Sequence, residues 1–363
     1  MIVAARAGER ATTKLPIAVR RARATDRDAV LAFASTTWDG WDYIPEVWDD
    51  WLTARDGVLL VATGQDDDRP VAVTRLALLS DDEGWLEGIR VDPDARGRGV
   101  ATNLQIAELA WAHAHELRVL RYMTGQGNQG SIKLGAHHGF AVIGDRRFHG
   151  RSGADGDGPG DIACDRPAAL EALRGSGVLM AADSDEPTIA AAWRIVDTDA
   201  TFLAGGRLYE DRPWAVQRLD RGRFAAHVRA GEVLHDALGP AIAILPRIAA
   251  LAEDDRPHFA VVAGDGHGVL RLALAAEAAA GQPIVIRLSH PAPMFNDPTV
   301  VDAWAAAGYG AREWTQHLLE RRLPPDERLP PPEPDGALVY REAPTRVAEA
   351  PAIGSAARLG IGS

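Results

Sequence analysis

The chain has 363 residues, enough for two domains that each bury a core, and its 46% hydrophobic and 25% charged content is that of a globular protein. A net charge of −12 at pH 7 argues against a nucleic-acid partner, whose phosphates would be repelled on average. The single cysteine, Cys164, excludes an internal disulfide and a cysteine-based metal cluster. No apolar run reaches the roughly 18 residues of a membrane span, so a cytoplasmic protein without a membrane partner is expected.

Residues 1–16 read as a loose leader. A strand is predicted at 17–22, followed by a helix start at Thr25-Asp26-Arg27-Asp28 with an acidic first turn. Trp38, Trp41 and Tyr43 precede Pro45, which opens a short helix running through Leu52. Strands at 58–63 and 71–79 flank a polar turn and form a hairpin. A further strand covers 84–91 and ends before Pro93, which has no N–H to donate to a ladder. From Ala101 to Leu117 the text is rich in Ala and Leu without Gly or Pro, and reads as a helix. A strand at 119–124, a short helix at 128–137 ending at Gly139, and a strand at 140–148 complete the first half.

Residues 151–165 form a Gly- and Asp-rich linker. Beyond it a second unit is expected over 166–323. A strand is predicted at 259–263, a turn at 264–268, a helix at 269–280, a strand at 283–288 and a helix near 300–307. The interval from Gly99 to Gly139 equals that from Gly268 to Gly308, which suggests a repeated layout. Residues 324–363 are Pro-rich and charged, and read as a mostly disordered tail.

The organising stretch is Val91-Asp92-Pro93-Asp94-Ala95-Arg96-Gly97-Arg98-Gly99-Val100-Ala101. Two glycines between a strand and a helix bare the backbone N–H groups at a helix N-terminus, a site suited to phosphate, and Arg96 and Arg98 add charge. Arg96-x-x-Gly99-x-Ala101, with the lead-in Ile89-Arg90-Val91-Asp92-Pro93, resembles the acetyl-CoA pyrophosphate loop of the GNAT N-acetyltransferase superfamily. The element order over 17–150 resembles that fold as well. The resemblance implies an α/β (α+β) protein with a mixed central sheet and flanking helices, followed by a second, degenerate GNAT-like domain. Asp265 stands in that second copy where a phosphate would be repelled.

Further roles follow from the resemblance. Acetyl-CoA would be the cosubstrate, held by Ile89, Arg90, Val91, Arg96, Gly97, Arg98, Gly99, Val100 and Ala101. Backbone N–H groups near Arg90 would hold the acetyl oxygen at a splay between the strands 84–91 and 119–124. Glu87, on the same strand face as Trp85, Ile89 and Val91, stands where many members carry a general base acting through water. Such a base matters most for amines whose pKa lies near 10 rather than near 8. Asn128-x-x-Ser131-x-x-Leu134-Gly135-x-x-x-Gly139-Phe140 resembles the family's Asn-x-x-Ala-x-x-Leu-Tyr signature, so Asn128 and Ser131 are candidate pantetheine contacts. The departure is Gly135, which takes the place of the tyrosine that usually protonates the leaving thiolate.

The same stretch, Gly125-Gln126-Gly127-Asn128-Gln129-Gly130, also fits a dinucleotide fingerprint, but its helix is too short and its position in the chain too late. His113 with His115, and His137 with His138, diverge on a helix, and no metal is implied. The segment from Gly40 through Trp51, with Glu87-Gly88-Ile89-Arg90-Val91, resembles the vertebrate histidine N-acetyltransferase branch. That likeness implies a small-molecule amine acceptor such as a free amino acid, with Asp42 pairing with the ammonium and Trp38, Trp41 and Tyr43 walling the pocket. The expectation is direct acetyl transfer in a ternary complex by a monomer or homodimer. The alternative is a non-catalytic acyl-CoA-binding sensor or scaffold.

Overall fold

The computed structural model describes residues 17–35, 37, 42–64, 67–151, 174–212, 214–246, 258–281 and 283–325. The expected leader, the linker beyond residue 151, Cys164 and the tail beyond residue 325 lie outside the described residues, as do Trp38 and Trp41. The chain divides into two compact units, one ending at Leu120 and resuming at Arg322, the other running from Arg121 to Arg321.

In the first unit, β1 (Ile17–Arg21), β2 (Gly57–Gly64), β3 (Pro70–Leu78) and β4 (Glu83–Val91) pair antiparallel in sequence order. Their helices are α1 (Arg27–Ala34), α2 (Ile44–Thr53) and α3 (Val100–Ala114). Strands β2 and β3 are almost continuously buried because helices cover both faces. On one face Val30, Phe33, Ile44 and Trp48 pack on Leu59, Val61 and Val73. The residue after Val73 points the other way, and there Thr74 meets Glu108 of α3.

The sequential antiparallel register breaks once between β3 and β4. Val73 opposes Arg90 and Arg75 opposes Glu87, so Thr74 alone faces both Gly88 and Ile89. Gly88 sits in the left-handed region at φ +70°, and a Cβ there would lie 2.6 Å from the Trp51 ring. Only glycine fits both the backbone and the neighbour, and the result is a β-bulge halfway along β4.

The second unit takes β5 (Val119–Gly125) from its third residue on, then α4 (Gln129–His137) and β6 (Ala141–Arg151). It continues through α5 (Glu186–Thr198), α6 (Ala200–Ala204), β7 (Leu208–Arg212), β8 (Ala215–Arg218), α7 (Arg221–Arg229), β9 (Val233–His235) and β10 (Ile242–Ile244). It closes with β11 (His258–Phe259), β12 (Val261–Ala263), α8 (Gly266–Ala280), β13 (Val285–His290), α9 (Pro298–Ala306) and β14 (Tyr309–Arg322). Its main sheet has the order β5-β14-β6-β13-β11, in which β11 and β13 run parallel while β6 is antiparallel to both of its neighbours. A three-stranded sheet β12-β10-β9 and the hairpin β7-β8 complete it.

Two features differ from the sequence expectations. The strand expected at 259–263 is two strands in different sheets, since β11 pairs with β13 and β12 pairs with β10. The turn expected at 264–268 is mostly helix, because the Asp265 carboxylate accepts from the Gly268 N–H at 2.7 Å and draws the glycines into the first turn. The long β14 pairs with β6 from Tyr309 opposite Arg151 to Glu320 opposite Ala141. The compact units part at Leu120. No described helix is long and apolar enough to cross a membrane.

Candidate active site

The turn before α3 is open where the sequence bares it. Gly97 and Gly99 adopt φ +72° and +83°, and a Cβ on either would meet nothing within 4 Å. Gly99 is the N-cap and supplies no side chain to the helix, whose first bond runs from the Asn103 N–H to the Gly99 carbonyl at 3.1 Å. The N–H groups of Val100, Ala101 and Thr102 therefore have no helical acceptor. Arg96 and Arg98 are exposed beside them, and Arg96 is steadied by its Nε on the Val91 carbonyl at 3.2 Å. Open donors, a helix dipole and two exposed cations suit a diphosphate.

Around the bulge the side chains are tied into ion pairs. Glu87 accepts from Arg75, whose other terminal nitrogen donates to Asp56 at 2.7 Å. Burial pulls the Arg75 guanidinium down, but Glu87 and Asp56 outweigh it and hold the pKa above its ordinary value. The Glu87 side chain keeps 22% exposure, so its carboxylate reaches both Arg75 and solvent. Arg75 also lies over the Trp51 ring at 5.4 Å.

Asp42 is placed differently from the expectation. Its side chain has no exposure: one oxygen accepts from Arg90 Nε at 2.6 Å and the other caps the Ile44 N–H at 2.9 Å. It anchors Arg90 and starts α2 instead of facing an ammonium. Tyr43 stands edge-on to Trp51, with ring centroids 5.8 Å apart, and beneath the Arg90 guanidinium at 5.2 Å. Burial pushes its phenol up to about 12. Trp51, Arg75 and Asp56 join the Glu87 neighbourhood without having been singled out as site residues. The Thr74-Arg75 pair inside the apolar run of β3 was the sequence signal for the arginine.

A second buried acid supports the bulge from behind. Glu108 lies on the apolar stripe Val100, Leu104, Glu108, Trp111 of α3 and is 1% exposed. Its carboxyl meets the Thr74 hydroxyl at 2.7 Å, and the same hydroxyl reaches the Glu87 carbonyl at 3.5 Å. Burial pushes the Glu108 carboxyl up to about 8, against which the Thr74 contact is the weaker influence. At neutral pH it holds its proton. The protonated acid can donate to Thr74, which frees the single hydroxyl hydrogen for the Glu87 carbonyl beside the bulge.

In α4 the missing tyrosine has a steric cause. A Cβ at Gly135 would lie 2.0 Å from the Tyr122 hydroxyl, which donates to the Ser131 carbonyl at 2.9 Å. Tyr122 of β5, edge-on to Phe140, fills the space a side chain at 135 would need. Asn128 is the N-cap of α4: its oxygen accepts from the Ser131 N–H at 3.2 Å and its amide donates to Thr124 at 3.0 Å. Its side chain thus has a local task in starting the helix.

These features define an α/β protein with a phosphate-ready strand-to-helix turn beside a bulged strand. Residues 28–140 match the model of the Acetyltransferase (GNAT) family, so the chain carries a GNAT acetyltransferase domain and is an acyltransferase. Members of that family use acetyl-CoA. The chain is similar to a GCN5-related N-acetyltransferase from Kribbella flavida, at 16% identity over 85% of this chain and 71% of that one, with a TM-score of 0.41. It is also similar to the ribosomal-protein-S18-alanine N-acetyltransferase of Escherichia coli, at 18% identity over 36% of this chain and 81% of that one (TM-score 0.33). A GNAT family acetyltransferase from Elizabethkingia anophelis, solved with acetyl-CoA bound, aligns at 18% identity over 36% and 80%, with a TM-score of 0.30. No curated protein matches the sequence.

Two outcomes test this geometry. Above its ordinary value of 4.5 the unfolded Glu108 loses its proton, while the folded one keeps it to about pH 8. Stability therefore falls as pH rises through that window, by at most about 1.4 kcal/mol per unit. Glu108→Gln removes the titration, so denaturant unfolding at pH 5, 6.5 and 8 should show the variant gaining on the parent by roughly 2 kcal/mol or more; a constant difference contradicts the buried neutral acid. Gly135→Ala, a change that ordinarily favours a helix, should destabilise the parent by about 1–3 kcal/mol and cost far less in a Tyr122→Phe background. Equal costs in the two backgrounds would rule out the steric account.

Proposed function

We propose that the chain is an N-acetyltransferase that moves the acetyl group of acetyl-CoA directly to the amine of a small molecule such as a free amino acid. The observation that carries this reading is the uncapped, sterically open N-terminus of α3. Acetyl-CoA supplies an activated acetyl group as a thioester. Its diphosphate suits the N–H groups from Gly97 to Ala101 with Arg96 and Arg98 as counter-charges, and Ile89, Arg90 and Val91 lie on the strand leading into that turn. The bulge supports an oxyanion role for β4, since it breaks the regular pairing with β3 at Gly88 and Ile89.

Glu87 takes a proton from the attacking amine through a water, and Arg75 fixes the carboxylate in place without closing it off from solvent. The new C–N bond forms as the C–S bond breaks, and the thiolate is then protonated. With Gly135 committed to Tyr122, solvent or another group supplies that proton. Tyr43, and Trp38 and Trp41 beyond the described residues, are the candidate acceptor walls, while Asp42 acts on Tyr43 through Arg90.

We read 166–323 as a degenerate, non-catalytic second copy of the same layout. Gly139 and Gly308 take matching left-handed conformations at φ +78° and +83° after α4 and α9. The Asp265 cap closes the N-terminus of α8 where Gly99 leaves that of α3 open.

Thiol release from acetyl-CoA, measured across a panel of amino acids and small amines, tests the reading. Turnover with at least one amine is expected, with Glu87→Gln lowering kcat by about 10²-fold or more while the KM for acetyl-CoA stays near the parent value. Tight coenzyme binding with no thiol released for any amine would favour a sensor, and full activity in Glu87→Gln would remove that residue from the mechanism.

A further inference from the structure

On one face of the main sheet of the second unit, two arginines are buried in the company of one carboxylate. Arg146 of β6 is 8% exposed, and among the described residues its guanidinium makes a single hydrogen bond, to the Gly205 carbonyl at 3.0 Å. Arg287 of β13 is paired with Glu210 of β7, both side chains being more than nine-tenths buried. The register sets Ser289 and Gln316 on either side of Arg146, and Arg287 beside Phe148. The Arg287 Nε and the Gln316 Oε1 are buried without a hydrogen-bond partner among the described residues. Burial, helped by the nearby Arg287 and opposed by Glu210, pushes the Arg146 guanidinium down to about 10.

An aromatic wall covers the same face. The Arg287 guanidinium lies 4.1 Å from the Phe148 ring centroid and 4.2 Å from that of Trp214. Phe148 stacks parallel to Trp314, and Trp214 leans against both. Trp214 is held at φ +69°, and Trp314 is 46% exposed, so the wall reaches the surface.

Among the described residues this deeply buried guanidinium bonds only to a neutral carbonyl, and it shares the one nearby carboxylate, Glu210, with Arg287. We propose that Arg146 and Arg287 bind the carboxylate of a small organic acid whose flat apolar body lies against Trp214 and Trp314. The charge count selects the ligand. Among the described side chains, two guanidiniums and the Glu210 carboxylate leave an excess of one, which a monoanion neutralises, whereas a phosphate dianion would overshoot it beside Glu210. A guanidinium fork matches a carboxylate, and the indole faces favour a planar neighbour. This site lies wholly within the second unit and is independent of the coenzyme turn.

The test is calorimetric titration of the full chain with benzoate, phenylacetate and indole-3-acetate, each beside its neutral amide, and with inorganic phosphate. At least one carboxylate should bind tenfold or more tightly than its amide and more tightly than phosphate. Arg146→Met should lose that binding at least tenfold while its unfolding midpoint stays level or rises, because a buried charge that shares its carboxylate with Arg287 has gone. Trp314→Ala, at an exposed position, should weaken binding without lowering the midpoint. The proposal is overturned if no carboxylate in the panel outbinds its amide, or if phosphate binds best. It is equally overturned if Arg146→Met lowers the midpoint and leaves carboxylate binding intact, which would mark a purely structural arginine.

Discussion

Helix α3 begins at a glycine, and the rest of the account depends on that choice. The helices α4 to α9 of the second unit each have a side-chain cap, from Asn128, Asp185, Asp199, Asp220, Asp265 or Asp297. Such caps satisfy the first N–H groups and contribute roughly 1 kcal/mol each. At Gly99 that stabilisation is absent, the N–H groups stay available, and two exposed arginines add positive charge beside them. The chain thus gives up local stability where an anion could restore it.

Beside this turn, β4 is shaped from both sides. Trp51 occupies the space that a side chain at Gly88 would need, and the glycine's left-handed backbone makes the bulge. From the opposite face, Glu108 reaches Thr74 and through it the Glu87 carbonyl. The ion pairs in front of the sheet orient more than they stabilise, since removing paired charges from water offsets much of their attraction. Arg75 fixes Glu87, and Asp42 fixes Arg90, so two carboxylates of similar chemistry end in different roles because one is partly exposed and the other is not.

The first half of the fold was legible because its strands and helices announce themselves by period and punctuation. Pro93, Gly97 and Gly99 marked the turn, and the helix after it lacks any breaker. The second half was less so: a five-residue apolar run at 259–263 carries no sign that it changes sheets midway. Asp265 was read as a charge that repels phosphate, but its role as a cap, which moves the helix start to Gly266, depends on a short-range contact that composition hides. Side-chain partnerships were the hardest to read. Gly135 was visible as a departure, yet its cause, Tyr122, stands thirteen positions earlier on another element. Likewise the polar pair Thr74-Arg75 was visible in β3, but not that Glu108 and Glu87 meet it from opposite faces.

The most direct measurement is amide hydrogen exchange of the full chain with and without acetyl-CoA. The amides from Gly97 to Thr102 should slow markedly when the coenzyme is added, while those at the capped start of α8, from Gly266 to Val269, stay unchanged. No added protection from Gly97 to Thr102, or equal protection at both helix starts, would contradict the claim that the glycine-bared turn is what grips the coenzyme.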